Sequence, residues 1–474
     1  MRQSILIGLV LSFSLSLAQN PPTVGEGVKL AQQGKTQEAI TVFESLYQRD
    51  PQNKTVLNWL GYLYLKVGKY EEAVPVLEKA VQSTPNNTEA WNNLGNAYLH
   101  TGQVDKAIQA YERVIAIKPD HADAHYNLGN LYTKIQQYQQ AISHFQKAIQ
   151  INPRDSNAHN NLGYAYHMMR LPSKALPAYK RAMELDPANI TFRYNYALVN
   201  AEMGNWREVA SVLEPLMPKM PNEVAGWLKL AEAHTRLKNL PKAVVTLQQA
   251  IASNPSNPDL HYNLGVLLLQ RGDLTAAASS FQNAINLRPE DAEALTQLGF
   301  VYLRQRKLDE AIATLQTALG KAPKRLDARL NLATAKRLKG EKEEALSLYQ
   351  QVLASDPKRT EARLAVGDLL LEKGDLKGAE AQYRAVLQQD PQSAVAWNNL
   401  GLVLLRTDRV AEAVRAMERA VALNPKSPIY LNNLGAAYER AGQRQKARTM
   451  YEQALRYDPN FNDAHQNLDR ISRR

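Results

Sequence analysis

An all-α solenoid of antiparallel helix pairs is the fold class that this sequence of 474 residues predicts. Three observations carry it. First, a proline recurs every 34 residues without a slip: Pro51, Pro85, Pro119, Pro153, Pro187, Pro221, Pro255, Pro289, Pro323, Pro357, Pro391, Pro425 and Pro459. Second, small residues hold fixed places in that register. Ala39, Ala73, Ala107 and their successors to Ala447 stand twelve residues before the prolines, and Gly61, Gly95, Gly129 and their successors to Gly435 stand twenty-four before. Third, large apolar residues such as Leu94, Tyr98 and Tyr111 lie between the small ones at helical spacing. Small residues let two helices approach closely and the large ones fill the seam. A fixed period of this length marks a repeat array, in which each unit buries its apolar face only against its neighbours.

Taken in order, residues 1–18 read as a secretory leader. Arg2 supplies the positive end, Ile5 to Leu17 the apolar stretch, and Ser16-Leu17-Ala18 the small-residue cleavage site. The apolar stretch is shorter than the roughly 17–25 residues of a bilayer span. With no cysteine to carry a lipid, the expected product is an exported periplasmic or extracellular chain that is not a lipoprotein. Thirteen tandem repeats follow over 19–459. Each is a helix, a short turn carrying a glycine such as Gly102 or Gly272, a second helix, and a proline turn that stops it. In the first repeat the stretch PPTVGEG is a poor helix former, so its first helix is expected to fray. The repeat at 190–223 departs from the pattern at Arg193, Tyr196, Asn200 and Val209, where looser packing or a bend is expected. Residues 460–474 form a cap, with one helix over Asn462 to Ser472 and a polar, basic close.

Trp91, Leu94, Gly95, Tyr98, Ala107, Tyr111, Val114 and Pro119 match, place for place, the signature of the tetratricopeptide repeat family. The chain resembles that family over residues 20–472. The resemblance implies a right-handed superhelix whose concave groove is lined by the first helix of each pair.

Asparagine is a poor interior helix residue because its amide competes for backbone hydrogen bonds. Yet it recurs 26 residues before the prolines, at Asn93, Asn127, Asn161, Asn195, Asn263, Asn331, Asn399 and Asn433, and once more in the cap at Asn467. Trp59, Lys229, Gln297 and Ala365 interrupt the series. By the resemblance these places face the groove, and the series is similar to the asparagine ladder in the repeat domain of peptide O-linked N-acetylglucosamine transferase. An amide offers a donor and an acceptor, as a peptide unit does, so such a ladder can hold an extended polypeptide by its backbone. The competing reading has each amide bonding the neighbouring repeat or facing water. One place earlier, Tyr126, Tyr194 and Tyr262 alternate with asparagines and present apolar rings with polar tips to the same surface. Tyr98, Tyr132, Tyr166 and Tyr438 fall at core positions.

Other chemistries find little support. Without cysteine there is no disulfide, thiolate metal site or thiol nucleophile. His121 and His125 are spaced to share a metal, but His125, His159, His261 and His465 occupy the place of Trp91 and Trp227, which makes a packing series. No third ligand stands at helical spacing, so no metal or other cofactor is expected. A carboxylate clamp of the chaperone-binding kind needs lysine where Asn92 and Tyr126 stand. No phosphate loop or catalytic motif appears, so no enzyme is expected. The net charge of +11 is concentrated after residue 291 but interleaved with acids. That pattern predicts weak contact with an anionic envelope surface rather than a nucleic-acid interface. Nothing in the sequence fixes an oligomeric state. The expected function is a non-catalytic scaffold that binds extended segments of other proteins during assembly of envelope or secretion complexes. The alternative is an accessory subunit that presents substrate to a separate glycosyltransferase or polysaccharide-export machine.

Overall fold

The computed structural model describes residues 22–473; the expected leader lies outside them. Twenty-seven α-helices account for most of this length. The chain divides into two compact units, one ending at Met220 and the other beginning at Pro221.

Unit 1 contains α1 (Val24–Gln32), α2 (Thr36–Arg49), α3 (Lys54–Lys66), α4 (Tyr70–Ser83), α5 (Thr88–His100), α6 (Val104–Ile117), α7 (Ala122–Lys134), α8 (Tyr138–Ile151), α9 (Ser156–Met168), α10 (Pro172–Leu185), α11 (Ile190–Glu202) and α12 (Trp206–Leu213). Unit 2 contains α13 (Val224–Arg236), α14 (Leu240–Ser253), α15 (Pro258–Arg271), α16 (Leu274–Leu287), α17 (Ala292–Arg304), α18 (Leu308–Lys321), α19 (Leu326–Lys339), α20 (Lys342–Ser355), α21 (Thr360–Lys373), α22 (Leu376–Gln389), α23 (Ala394–Arg406), α24 (Val410–Leu423), α25 (Pro428–Arg440), α26 (Arg444–Tyr457) and α27 (Asn462–Ser472). In each unit every helix packs on the next in sequence. Contacts that skip a helix join odd-numbered helices, as in α3 with α5, α7 with α9 and α23 with α25. The first helices of the pairs therefore form the more tightly gathered layer of each unit.

The small residues do what their spacing predicts. A Cβ on Gly95 would lie 2.7 Å from the ring of Tyr111, which is fully buried between α5 and α6. The expected fraying of the first helix is not seen: Val24 to Gly27 are helical, Thr23 Oγ1 accepts from the Glu26 N–H at 3.2 Å, and Gly27 lies directly against Phe43. A side-chain cap and the close approach that glycine permits outweigh its poor propensity. In the divergent repeat the packing is not looser, since Asn200 and Val209 are buried and Asn200 bonds Tyr196 O and Asn205. The departure falls instead in α12, which stops after eight residues and gives way to a 3₁₀ turn over Met217–Lys219. Pro215 and Pro218 follow that stop, and each removes a helical N–H.

The turn between the helices of a pair needs one left-handed residue. Gly102 and Gly272 supply it at φ +76° and +88°, but Gln136, Arg170, Lys238, Arg306 and Asp408 hold the same place at φ +58° to +63°. A non-glycine residue pays about 1 kcal/mol there. Arg306→Gly is expected to raise the unfolding free energy of unit 2 by roughly 0.5–1 kcal/mol. Urea unfolding followed by circular dichroism measures it, and an unchanged or lower midpoint contradicts the strain.

Candidate functional site

In many repeats the first helix is tied to the proline turn just before it by side chains whose sequence gives little sign of it. Trp91, Trp227 and Trp397 donate their ring N–H to the carbonyls of Pro85, Pro221 and Pro391, six residues earlier, at 2.9, 3.1 and 3.0 Å. His125, His159, His261 and His465 meet the carbonyls of Pro119, Pro153, Pro255 and Pro459 in the same way, at 2.8–3.2 Å. Arg329 and Arg363 reach those of Pro323 and Pro357. His121 turns elsewhere, and its Nδ1 caps α7 by accepting from the Ala124 N–H. Tyrosines of the first helices reach back twenty residues to the preceding repeat. Tyr64, Tyr98 and Tyr438 donate to Glu44, Glu78 and Glu418 at 2.8, 2.6 and 2.7 Å. Tyr132 reaches Glu112 at 3.4 Å, and Tyr166 accepts from Gln146.

The asparagine series divides under the same scrutiny. Three of its amides donate to an asparagine 35 residues earlier, on the previous first helix: Asn195 to Asn160, Asn433 to Asn398 and Asn467 to Asn432, each at 2.9 Å. Two donate to an acceptor 31 residues earlier, Asn161 to Asn130 at 2.8 Å and Asn399 to Asp368 at 2.9 Å. Asn263 is turned onto its own helix at Asp259 O. Six of the nine amides are thus engaged within the array. Among the tyrosines, the Tyr126 hydroxyl accepts from Asn161 at 3.3 Å and Tyr262 donates to Glu293 at 3.2 Å. Their rings pack on Phe145 and Phe281. Burial, then the Glu293 carboxylate, pushes the Tyr262 phenol up to about 12, so it stays a donor at neutral pH. Tyr194 is half-buried on α11 and is also engaged.

Asn93, Asn127 and Asn331 form no side-chain hydrogen bond among the described residues, and for Asn93 and Asn331 the residues that precede them account for it. For Asn331 the places 35 and 31 residues earlier hold Thr296 and Phe300, and the Thr296 hydroxyl is turned onto Ala292 O. For Asn93, Asn58 accepts from Asn87 instead. For Asn127, Asn96 accepts from the buried Tyr111 hydroxyl at 2.6 Å, and Asn92 Oδ1 stays buried without a partner. The Asn92–Asn127 pair is in the register that closes at 160–195, 398–433 and 432–467, yet it is open. The first helices α5 and α7 of consecutive repeats therefore present two half-buried amides with unspent donors and acceptors.

Beside them lies a cleft of about 410 Å³ bounded by α1, α3 and α5, with Gln32, Asn58, Trp59, Tyr62, Lys66 and Asn93 on its walls. Trp59 stands where most repeats have asparagine. Its ring stacks on Phe43 at 6.1 Å, and Tyr62, 43% exposed, meets its edge at 6.0 Å. A second cleft, of about 620 Å³ in unit 2, is lined by Asn263 and by the Lys229–Glu232 ion pair. Among the described residues no group of three His, Asp or Glu side chains is placed to hold a metal, and no helix is long and apolar enough to cross a membrane.

Family models of the tetratricopeptide repeat match residues 25–88, 60–122 and 228–292, and a second such model matches 122–155 and 156–189. The chain belongs to the tetratricopeptide repeat family. A further repeat model, described as the C-terminal domain of cilia and flagella-associated protein 70, matches residues 267–473. Among solved structures the chain is similar to a MamA protein, at 31% identity over 34% of this chain and 88% of that one, with a TM-score of 0.33. MamA from Desulfovibrio magneticus RS-1 is 24% identical over 35% and 93%, with a TM-score of 0.34. The APC/C hetero-tetramer Cut9–Hcn1 is 14% identical over 94% and 95%, with a TM-score of 0.44. No curated protein matches the chain. Tetratricopeptide repeats build scaffolds that bind other proteins or peptides, and the helix pairs described here are such a scaffold.

Proposed function

We propose that this tetratricopeptide repeat chain is a non-catalytic, exported scaffold that holds extended segments of other polypeptides against the first-helix layer of unit 1. The open amides of Asn93 and Asn127 carry the reading. Each offers a donor and an acceptor on consecutive repeats, and a peptide backbone supplies the complementary pair. A bound backbone would give each of these half-buried amides the partners it lacks within the chain. The remaining ladder positions serve mainly to join repeats, so they hold the surface in shape rather than read the ligand. Export rests on the leader-like stretch at residues 1–18. An exported scaffold of this kind suits the assembly of envelope or secretion complexes. Its partners on this reading are proteins or peptides and not nucleic acid, with the basic excess giving weak attraction to an anionic envelope surface.

Capture from envelope extract tests this. Replacing both Asn93 and Asn127 by Ala is expected to reduce recovery of partners about tenfold or more with helicity unchanged. The matched pair Asn195→Ala and Asn433→Ala should lower thermal stability and leave capture by unit 1 intact. Equal recovery by the first variant and the parent would remove the groove reading. A glycosyltransferase as the main captured protein would favour the accessory-subunit role over the assembly role.

A further inference from the structure

On four second helices of unit 2 the outer face changes character. Gln248, Gln282, Gln316 and Gln350 stand 34 residues apart on α14, α16, α18 and α20, and all are exposed. The same place elsewhere holds mainly charge, as at Glu44, Glu78, Glu112, Lys180, Arg384 and Glu418. Around the four glutamines, the stretches 243–253, 274–287, 311–320 and 345–355 contain no charged residue. Their exposed positions are mostly glutamine, asparagine, serine, threonine and alanine.

A cleft of about 580 Å³ opens on this face, between α16 and the end of α17 with its turn into α18. Thr275, Ser279, Gln282, Asn283, Tyr302 and Gln305 supply its hydroxyls and amides, and Leu274 and Ala278 its apolar part. Two of these groups are without an internal partner. Tyr302 occupies the place of Tyr64, Tyr98 and Tyr438, whose hydroxyls donate to a glutamate twenty residues earlier. Twenty residues before Tyr302 stands Gln282, and its amide is turned onto Asn286 at 3.0 Å. The Tyr302 hydroxyl therefore has no partner among the described residues. Gln305 lines the same cleft, and its Oε1 is buried with no donor to accept from. An amide that no bond holds in place turns readily toward a ligand that offers one.

We infer that this cleft binds an uncharged saccharide, its hydroxyls pairing with Tyr302, Gln305 and Asn283 and its C–H faces lying on Leu274 and Ala278. A sugar ring presents groups that both donate and accept and carries no charge, which is the complement of these walls. Lys307 is the one charged side chain on the cleft, and its ammonium stands over the Tyr302 ring, 5.8 Å from the centroid. A single cation so engaged leaves no charge pattern for an anion to match. Protein hot spots are built from aromatic and arginine anchors, whereas the exposed positions here are small or amide-bearing. Because the glutamines continue on α14, α18 and α20, the surface fits a chain of sugars rather than a single one. The site belongs to unit 2 and does not depend on the groove reading of unit 1.

The test is an array of immobilised hexasaccharides of glucose, mannose and N-acetylglucosamine, with hexagalacturonate as the charged control, probed with the full chain. The strongest ligand is then titrated by calorimetry. At least one neutral sugar is expected to bind, and hexagalacturonate less well. Tyr302→Phe should weaken the neutral sugar about fivefold and, joined to Gln305→Ala, about tenfold or more. Neither the hydroxyl nor the amide has an internal hydrogen bond to lose, so both variants should keep the parent's urea midpoint. Tyr98→Phe takes the aligned hydroxyl from its bond with Glu78, so it should lower that midpoint and leave sugar binding unchanged. Asn93→Ala with Asn127→Ala should also leave it unchanged, which separates a failure of this site from a failure of the groove. Binding of no neutral sugar, or binding indifferent to Tyr302→Phe and Gln305→Ala, overturns the site. A preference for hexagalacturonate that Lys307→Ala abolishes overturns it in favour of an anion.

Discussion

Asp368→Ala should lower the unfolding free energy of unit 2 by about 3 kcal/mol, more than any single change in the open amides of unit 1. Asp368 is on α21, and its Oδ1 accepts from the buried Tyr383 hydroxyl at 2.8 Å and from Asn399 on α23 at 2.9 Å. Its Oδ2 meets Arg337 of α19 at 3.2 Å. Asn399 in turn accepts from Asn398, and Asn398, itself buried, accepts from Asn433 of α25. One carboxylate thus anchors a chain of polar contacts across four successive first helices. Burial and then this carboxylate hold the Tyr383 phenol well above its usual range, so it remains a donor. Removing the carboxylate leaves a buried hydroxyl, an amide and a guanidinium unmatched. The ion pair adds little because Arg337 is about one third exposed. Asp368→Asn, which keeps an acceptor oxygen, should lose less than half as much. Asn93→Ala and Asn127→Ala should stay within about 0.5 kcal/mol of the parent, having no internal bond to lose. Urea titrations of the four variants against the parent decide it. A loss at Asn93 as large as that at Asp368 would mean that the open amides are structural after all.

The contrast shows what the sequence carries and what it withholds. The helix boundaries follow from prolines in register and from the tiny residues opposite large ones, because backbone sterics and volume act locally and repeat with the chain. The bond from Trp91, His125 or Arg329 to a proline carbonyl was hidden by residue type. Three unlike side chains share only an N–H at the right reach, and the carbonyl that receives it becomes evident only once the turn is built. Where an asparagine is engaged across repeats, its partner stands 35 or 31 places earlier, although Asn127 stays open with Asn92 in that register. Asn195 is engaged because Asn160 precedes it, and Asn93 is open because Asn58 is already occupied by Asn87. A reading of one repeat at a time sees nine equal amides; a reading of neighbouring pairs separates them. Trp59 was visible as an interruption of the series, but its pairing with Tyr62 into a platform depends on α1 and Phe43 closing the cleft behind it.

A pH-dependent loss of stability is expected in unit 1, centred on His125, which the repeat pattern treats as packing, and its neighbour His144. His125 Nε2 faces the Pro119 carbonyl at 3.1 Å, which assigns the proton to that nitrogen and leaves Nδ1 as an acceptor. His144 Nδ1, on α8, stands 3.1 Å from it and is the donor of the pair. The His144 ring also stacks on Tyr132 at 5.4 Å. Burial, and then the neighbouring His125, lowers His144 from the ordinary 6.5 to about 4. Burial likewise lowers His125, the Pro119 carbonyl opposes that, and the positive groups of Lys147 and His121 add to it. Protonating His125 would set two N–H groups against each other across the pair. Because the folded chain resists a proton that the unfolded chain takes up readily, the stabilisation is fully present above about pH 6.5 and falls away as the pH drops toward 4. For His144 alone the loss at pH 5 should be about 2 kcal/mol relative to pH 7. Carboxylates that titrate in the same range shift parent and variant alike, so the readout is the difference between them. His144→Phe keeps the stack on Tyr132 without a titrating group, and unfolding titrations at pH 7 and pH 5 should show a markedly smaller drop for it. A drop of the same size in both chains would place the acid sensitivity elsewhere.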